Sequence, residues 1–244
     1  MGVKERRERE KSETRDKILD AARELFVTEG YEGVSMRRVA EMIEYSPTAI
    51  YVHFADKEEL FRELCHQDYA RLAEVFQSSV ISTDPVERLK QIGAIYIDFG
   101  TRYPNHYKFM FMTPHPAHEL DEVDREMKGN PERDAYAFLR WAVQQAIDAG
   151  SFRPQLRDAE LVAQTLWASV HGVIALDIAK GCDAWVEWRP LRDRAEMMLD
   201  LTLKALVRVP LPVTESSPPP PKDAGNDEPS DDSPILPDLP TEEK

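Results

Sequence analysis

Two cysteines in 244 residues, Cys65 and Cys182, stand far apart and in no ligand or redox spacing. That scarcity excludes a disulfide framework and a cysteine-built zinc motif, and it fits a reducing, cytoplasmic setting. Only ten glycines occur, and none gathers into a phosphate-cradling loop. No window approaches the roughly 18 uninterrupted apolar residues that a spanning helix requires, so no membrane segment is expected. The opening stretch MGVKERREREKSETRDK is charged where a secretory signal would be apolar. Positive charge is also short: 31 Lys+Arg against 45 Asp+Glu give a formal charge of −14. Taken as a total, this argues against a nucleic-acid partner, because Lys and Arg neutralising phosphates supply most nonspecific DNA affinity. With 42% apolar residues the chain still has material for a packed core, which excludes disorder throughout.

Period-two alternation, the mark of a half-buried strand, is missing as well. Apolar residues recur instead at helical spacing: Ile18, Leu19, Ala22, Leu25, Phe26; then Val39, Ala40, Ile43; then Leu60, Phe61, Leu64, Tyr69, Leu72, Phe76. The same spacing runs through Leu89, Ile92, Tyr96, Phe99 and Tyr103, from Ala135 to Ile147, and from Leu191 to Leu206. An all-α fold follows. Ser46-Pro47, Asp84-Pro85 and Asn130-Pro131 each set a capping side chain before a proline at the first helical position, where its missing N–H costs nothing. Glu59 after Asp56 and Glu87 after Asp84 complete capping boxes, and Gly150 stops the run that starts at residue 131. From Thr214 to Lys244 there are eight prolines, nine acids and two bases. Such a segment cannot offset its ordering entropy, so 210–244 is expected to be a disordered acidic tail, either solubilising or carrying a partner motif around PILPDLP.

Between Ser35 and Phe54 the pattern gives two short helices, Ser35 to about Glu44 and Pro47 to about Phe54, joined by Tyr45-Ser46. This is helix-turn-helix spacing, although any tight helical corner produces it too. The second helix opens on Pro47, Thr48 and Ala49, small enough to approach base edges, and its outer side carries Tyr51 and His53, polar aromatics that reach phosphates. Lys57 stands in the first turn of the next helix, where a cation opposes the helix dipole unless an anion sits there.

The segment GYEGVSMRRVAEMIEYSPTAIYVHFADKEEL resembles the N-terminal signature of the TetR family of bacterial transcriptional regulators. The resemblance covers roughly residues 14 to 62 and rests on Gly30, Ser35, Val39, Ala40, Ser46, Ile50, Tyr51-x-His53-Phe54 and Asp56-Lys57-x-x-Leu60. It implies phosphate contacts from Ser35, Tyr51, His53 and Lys57 and groove contacts from Ser46, Pro47 and Thr48. Arg37 is a further candidate from its exposed position, and Tyr45 and Thr48 depart from the usual pattern where base preference is set. Core packing competes as a role for Tyr51 and is the expected role of Phe54; a surface or capping role competes for His53. The run Lys4 to Lys17 reads either as a DNA-reaching arm or, given Glu5, Glu8, Glu10 and Glu13, as a solvated helix extension.

The same resemblance implies a helical effector-binding and dimerising domain after the DNA-binding unit. The expected organisation is a charged extension (1–13), a helix-turn-helix domain (14–62), a ligand-binding and dimerisation domain (63–209) and the tail (210–244). The segment Leu161 to Ala179 is apolar nearly all round, as a helix buried twice must be, against its own core and a second copy. With the last helix it would form the homodimer interface. Trp167-Ala-Ser-Val-His171-Gly172 and Tyr103-Pro-x-His106-Tyr107-x-Phe109-Met110-Phe111 resemble the C-terminal domain of the family's Trp-His-Gly subgroup. A pocket lined by Phe99, Tyr103, Phe109, Met110, Tyr136, Trp141, Trp167 and His171 would suit a small apolar or aromatic effector. The competing reading makes His171 a satisfied core histidine and Gly172 a point of close helix approach.

His115, His118, Glu119 and Glu122 crowd after Pro114, but Pro116 breaks any helix that would align them, so a polar loop is expected and no metal or other cofactor. Trp167 and His171 lack a nucleophile and a base partner, so no enzyme is expected. The resulting expectation is a ligand-responsive repressor that meets a palindromic double-stranded operator as a dimer, with half-sites about 34–36 Å apart. The alternative is a helical interaction module that activates transcription or has lost DNA binding. The charge total supports the first once divided. The tail carries −7 and residues 1–62 only −2, leaving −5 for 63–213, so acidity lies away from the proposed DNA face.

Overall fold

A computed structural model describes residues 3–116 and 120–208. Within these residues the chain forms ten helices, with one isolated bridge between Phe152 and Val207. They are α1 (Val3–Gly33), α2 (Met36–Met42), α3 (Pro47–Tyr51), α4 (Lys57–Ser79), α5 (Pro85–Arg102), α6 (Pro104–Met112), α7 (Glu122–Met127), α8 (Ala135–Asp148), α9 (Ala159–Lys180) and α10 (Leu191–Leu206). The fold is all-α, as the periodicity requires. The segment read as a tail lies outside the described residues.

α1 runs without a break through the boundary expected at residue 13 and enters the core at Ile18, Leu19, Ala22, Leu25 and Phe26. It kinks at Gly30, whose φ of +72° lies in the left-handed region that a side chain disfavours. α2 and α3 are shorter than the spacing implied. α2 ends because Glu44 (φ +59°) turns left-handed: the Tyr45 N–H then reaches Ala40 O at 2.9 Å and the Glu44 N–H reaches Glu41 O at 3.3 Å. This is a Schellman closure built on glutamate instead of glycine, so the sequence carries no glycine to signal it.

Helix starts follow side-chain caps. Asp56 accepts from the Glu59 N–H, and Glu59 returns a bond to the Ala55 N–H, one residue earlier than a standard box. Asp84 caps α5, but its own N–H goes to Ser82 Oγ, so Glu87 closes no box. α8 begins at Ala135 and not at Pro131. Asp134 accepts from the N–H groups of Tyr136 and Ala137, while residues 131–133 form a turn bound to Asn130 O. Gly150 (φ +69°) stops α8 as expected, with Ser151 N–H on Ala146 O.

The larger helical body packs α4, α5, α8, α9 and α10 around one another. α9 is the one described helix long and apolar enough, by length and composition, to cross a membrane. It serves instead as a core helix: Val162, Ala163, Leu166, Val170 and Ile174 are buried against α5, α8 and α10. Its other face, with Leu161, Ala168, Gly172 and Leu176, is exposed. A Cβ at Gly172 would meet nothing within 4 Å, so this glycine serves no close helix approach inside the described chain. The expectation is corrected there; Gly93, packed on Leu199, and Gly100, packed on Ile174 and Tyr107, are positions that allow one.

Candidate nucleic-acid interface and effector cavity

α1, α2 and α3 close around Val39, Ala40, Ile50 and Phe54, all buried. Phe54 is therefore a core residue. Ser35 and Ser46 are occupied as N-caps, accepting from the N–H groups of Arg38 and Ala49. Their hydroxyls remain at the surface beside Pro47 and Thr48, which are exposed. Tyr51 is 54% exposed and Tyr45 38%; core packing of Tyr51 is excluded by that figure. Arg37 is exposed and paired with Glu41 across one turn at 2.9 Å.

Two candidates have partners that sequence did not announce. Lys57 Nζ donates to the Tyr31 carbonyl at 2.9 Å and lies 4.1 Å from the centre of the Tyr31 ring. The carbonyl supplies the negative end that a cation at a helix start lacks, so Lys57 needs no bound anion to be tolerated. His53 is half-buried, with Nδ1 unpartnered among the described residues. Burial and the nearby Lys11 and Arg15 cations hold its pKa below the ordinary value, leaving a neutral imidazole.

The larger body contains an open cavity of about 780 Å³, solvent space at its mouth included. Its wall is built by Tyr69, Leu72 and Phe76 of α4, Leu89, Ile92, Gly93 and Tyr96 of α5, and Phe111 of α6. Ala135, Tyr136 and Leu139 of α8, Leu166, Trp167 and Val170 of α9, and Met198, Leu199 and Leu203 of α10 complete it. Of the eight residues expected to line it, Tyr136 and Trp167 do. The other six do not, and each has a different task. Phe99 is buried and packs on Tyr103, and Phe109 is buried among Phe26, Phe61 and His115. Met110 is buried with its carbonyl accepting from Tyr69 Oη. Tyr103 and Trp141 are partly exposed under Arg71 and Arg88. The lining residues that sequence missed, such as Leu89, Ile92 and Tyr96, appear in its periodicity as ordinary core.

The polar ends along the wall are consumed elsewhere. Trp167 Nε1 donates to Tyr96 Oη (2.9 Å), Tyr96 donates to Tyr107 Oη (3.3 Å), and Tyr107 donates to His171 Nδ1 (2.6 Å). His171 is thus a satisfied histidine behind the wall, its pKa lowered by burial. Tyr136 donates to Glu160, and Asp134 is the α8 cap. Burial pushes the Tyr107 phenol up to about 12 and the Tyr96 phenol higher, so both are neutral donors. Among the described residues no Lys, Arg or His lines the cavity.

His115 is held by packed helices, its Nε2 donating to Phe109 O of α6 at 2.9 Å and its Nδ1 4.0 Å from Cys65 Sγ of α4; His118 and Glu119 lie outside the described residues, and Glu122 opens α7. The described residues that come closest to a metal-ligand arrangement are His66, Asp121 and Asp124. There Asp121 and Asp124 already form a reciprocal capping box, and His66 Nε2 meets Asp124 Oδ1 at 2.8 Å. Burial pushes the neighbouring Cys65 thiol up to about 12, which makes it a poor ligand and nucleophile.

The comparisons agree with this geometry. Residues 18–64 match the family described as "Bacterial regulatory proteins, tetR family", and residues 89–202 match "Tetracyclin repressor-like, C-terminal domain". The transcriptional repressor AcnR of Corynebacterium diphtheriae is 48% identical over 66 residues, 27% of this chain and 35% of that protein. Matches to this relative and the others of its name thus span about a third of their length. The transcriptional regulator TtgR of Pseudomonas putida is 26% identical over 201 residues, 75% of this chain and 92% of that one. Among solved structures, a SmeT–triclosan complex superposes with a TM-score of 0.58 at 24% identity, covering 84% of this chain and 99% of that one. With both halves of the described fold matched in order, the chain belongs to the TetR family, a family of bacterial regulatory proteins and not of enzymes.

Proposed function

We propose that the chain is a transcriptional repressor that binds a palindromic operator as a homodimer and is released from it by an uncharged, apolar or aromatic effector. The observation that carries the first part is the helix-turn-helix itself. Ser35, Ser46, Pro47, Thr48 and Tyr51 are all exposed, while α3 is anchored inward by its buried Ile50. Arg37, Tyr45, His53 and Lys57 complete the set, with one Lys57 proton spent on Tyr31 and the others free for phosphate. Such an operator would be met in the cytoplasm.

The cavity supports the effector half. A wall with no cation among the described residues and with its phenols and indole already hydrogen-bonded favours a neutral lipophilic molecule over a carboxylate, whose desolvation no described side chain would offset. The triclosan complex of the similar SmeT fold is consistent with that chemistry. Effector release requires tighter binding to the state that does not fit DNA. The exposed apolar faces of α9 and α10 support the dimer, and the Trp-His-Gly resemblance rests on the local motif of α9.

The test is selection of operator fragments from random DNA by the full chain, followed by release with neutral, anionic and cationic ligands of equal chain length. A recovered palindrome, at least tenfold weaker binding by Tyr51→Ala, and release by the neutral series alone are expected. No enrichment, or Tyr51→Ala and Lys57→Ala both equal to wild type, would overturn the reading.

A further inference from the structure

The proposed operator contacts all lie between Ser35 and Lys57, and the family match begins at residue 18. α1 begins at Val3 and continues as exposed helix ahead of the three-helix unit. Its composition changes with angular position. Lys4, Arg7, Lys11 and Arg15 step by three and four, and they continue the face that carries buried Ile18 and Ala22 further along. A stripe that is apolar where it meets the core becomes basic where it leaves it.

The far end of that stripe is fixed against the DNA-binding unit. Arg15 donates to His53 O at 3.2 Å, lies 4.3 Å from the centre of the Phe54 ring and pairs with Glu63 at 3.0 Å. The basic face therefore leaves the three-helix unit beside the turn that follows α3. The pKa of His53, lowered first by burial, is lowered further by the cations of Lys11 and Arg15, as this placement requires.

Neighbouring bases on α1 are neutralised within the helix. Arg6 pairs with Glu10 at 2.7 Å and Arg9 with Glu13 at 3.4 Å. Lys4 has only a 3.9 Å contact to Glu8 between two highly exposed side chains, which holds it weakly. Arg7 and Lys11 have no acid partner among the described residues. At 1.5 Å per residue, Lys4 to Arg15 spans about 16 Å, enough to meet several phosphates spaced about 3.4 Å along one strand's axis.

We propose that this face of α1, with Arg7 and Lys11 as its unpaired cations, is a second DNA-contacting surface that grips backbone phosphates flanking the groove α3 enters. It rests on the DNA-binding reading above. It reads no bases, so it adds affinity on any sequence and lengthens the footprint.

The test compares wild type with the double variant Arg7→Ala, Lys11→Ala, both as full chains. The probes are the selected operator fragment and an unrelated duplex of equal length, each titrated from 50 to 300 mM salt. Alanine keeps the helix, and circular dichroism checks that it does. The variant is expected to bind both duplexes at least tenfold more weakly at the lowest salt. Its log–log salt slope should be shallower by about 0.9 per cation removed, near 2 for each protomer. The control, Arg6→Ala with Arg9→Ala, should keep the wild-type slope. An unchanged slope in the Arg7/Lys11 variant, with wild-type binding intact, overturns the proposal alone. Absence of any salt-dependent DNA binding by wild type overturns it together with the helix-turn-helix reading.

Discussion

At the scale of single residues, the molecule's buried polar groups tie its two functional regions together. Arg23 of α1 and Asp68 of α4 form a buried bidentate pair at 2.9 Å on both arms, and His106 of α6 joins the same carboxylate at 2.9 Å. The residue after it, Tyr107, belongs to the hydrogen-bond chain that starts at the cavity wall and ends on His171. Neighbouring residues of α6 thus join the Arg23–Asp68 pair that ties α1 to α4 and the chain that backs the cavity wall. The second chain makes stability depend on pH. Burial lowers the His171 pKa below 6.5, and its Nδ1 must be unprotonated to accept from Tyr107. Above pH 6.5 the folded and unfolded chains both hold it neutral and no penalty arises. Between 6.5 and the lowered folded value the unfolded chain binds the proton and the folded chain does not, so stability falls as pH falls, and the loss saturates below that value. His53 contributes with the same sign. Urea unfolding followed from pH 7.5 to 5 should show this decline, and His171→Gln should flatten part of it. A His171→Gln profile parallel to wild type would remove His171 from the account.

At the scale of elements, periodicity and capping residues carried most of the information. Serine or aspartate before proline located α3 and α5, and glycine located the end of α8, because these are local chemistries with their partners within three or four residues. The misplacements have a common cause. The start of α8 moved because Asp134, unremarked in sequence, caps it while Asn130 caps only the turn before it, and α2 stopped early on a glutamate in a conformation that glycine usually supplies. The cavity was harder. Leu89, Ile92 and Tyr96 were legible as apolar helix positions, but which stretch of core lacks filling atoms depends on six helices meeting, and no spacing records that. The same holds for Lys57, whose partner Tyr31 comes from another helix. The Glu44 conformation yields a direct prediction. A side chain at φ +59° is disfavoured by roughly 1 kcal/mol relative to glycine, so Glu44→Gly should stabilise the chain by about 0.5–1 kcal/mol in chemical denaturation. It should also leave operator binding within twofold, because the turn keeps its path. Destabilisation would mean that the Glu44 side chain has a task that the left-handed backbone conceals.

At the scale of the whole molecule, two totals that looked unfavourable resolve into surfaces. The net charge of −14 places −7 in Thr214–Lys244 and −2 in residues 1–62, so the helix-turn-helix faces DNA without a strongly acidic background. The second total is exposed apolar area. Leu161 and Leu176 on α9 and Met197 and Leu201 on α10 are 62%, 48%, 66% and 62% exposed. The small residues Ala168 and Gly172 lie between the two leucines of α9, and a Cβ at Gly172 would meet open space. Scattered exposed leucines mean little, but a continuous helical stripe of them with a small-residue centre marks a surface awaiting a partner. A second copy is the partner that the proposed palindromic operator demands, and a stable interface of this kind buries on the order of 800 Å² from each side. Charging the stripe should therefore cost the assembly and spare the fold, since these side chains touch water in the single chain. Leu176→Glu with Leu201→Glu should sediment as a monomer at micromolar concentration with wild-type helix content. Its binding to one isolated half-site should be retained, and its advantage for the full palindrome lost. A double variant that still sediments as a dimer would move the interface to another face of the molecule.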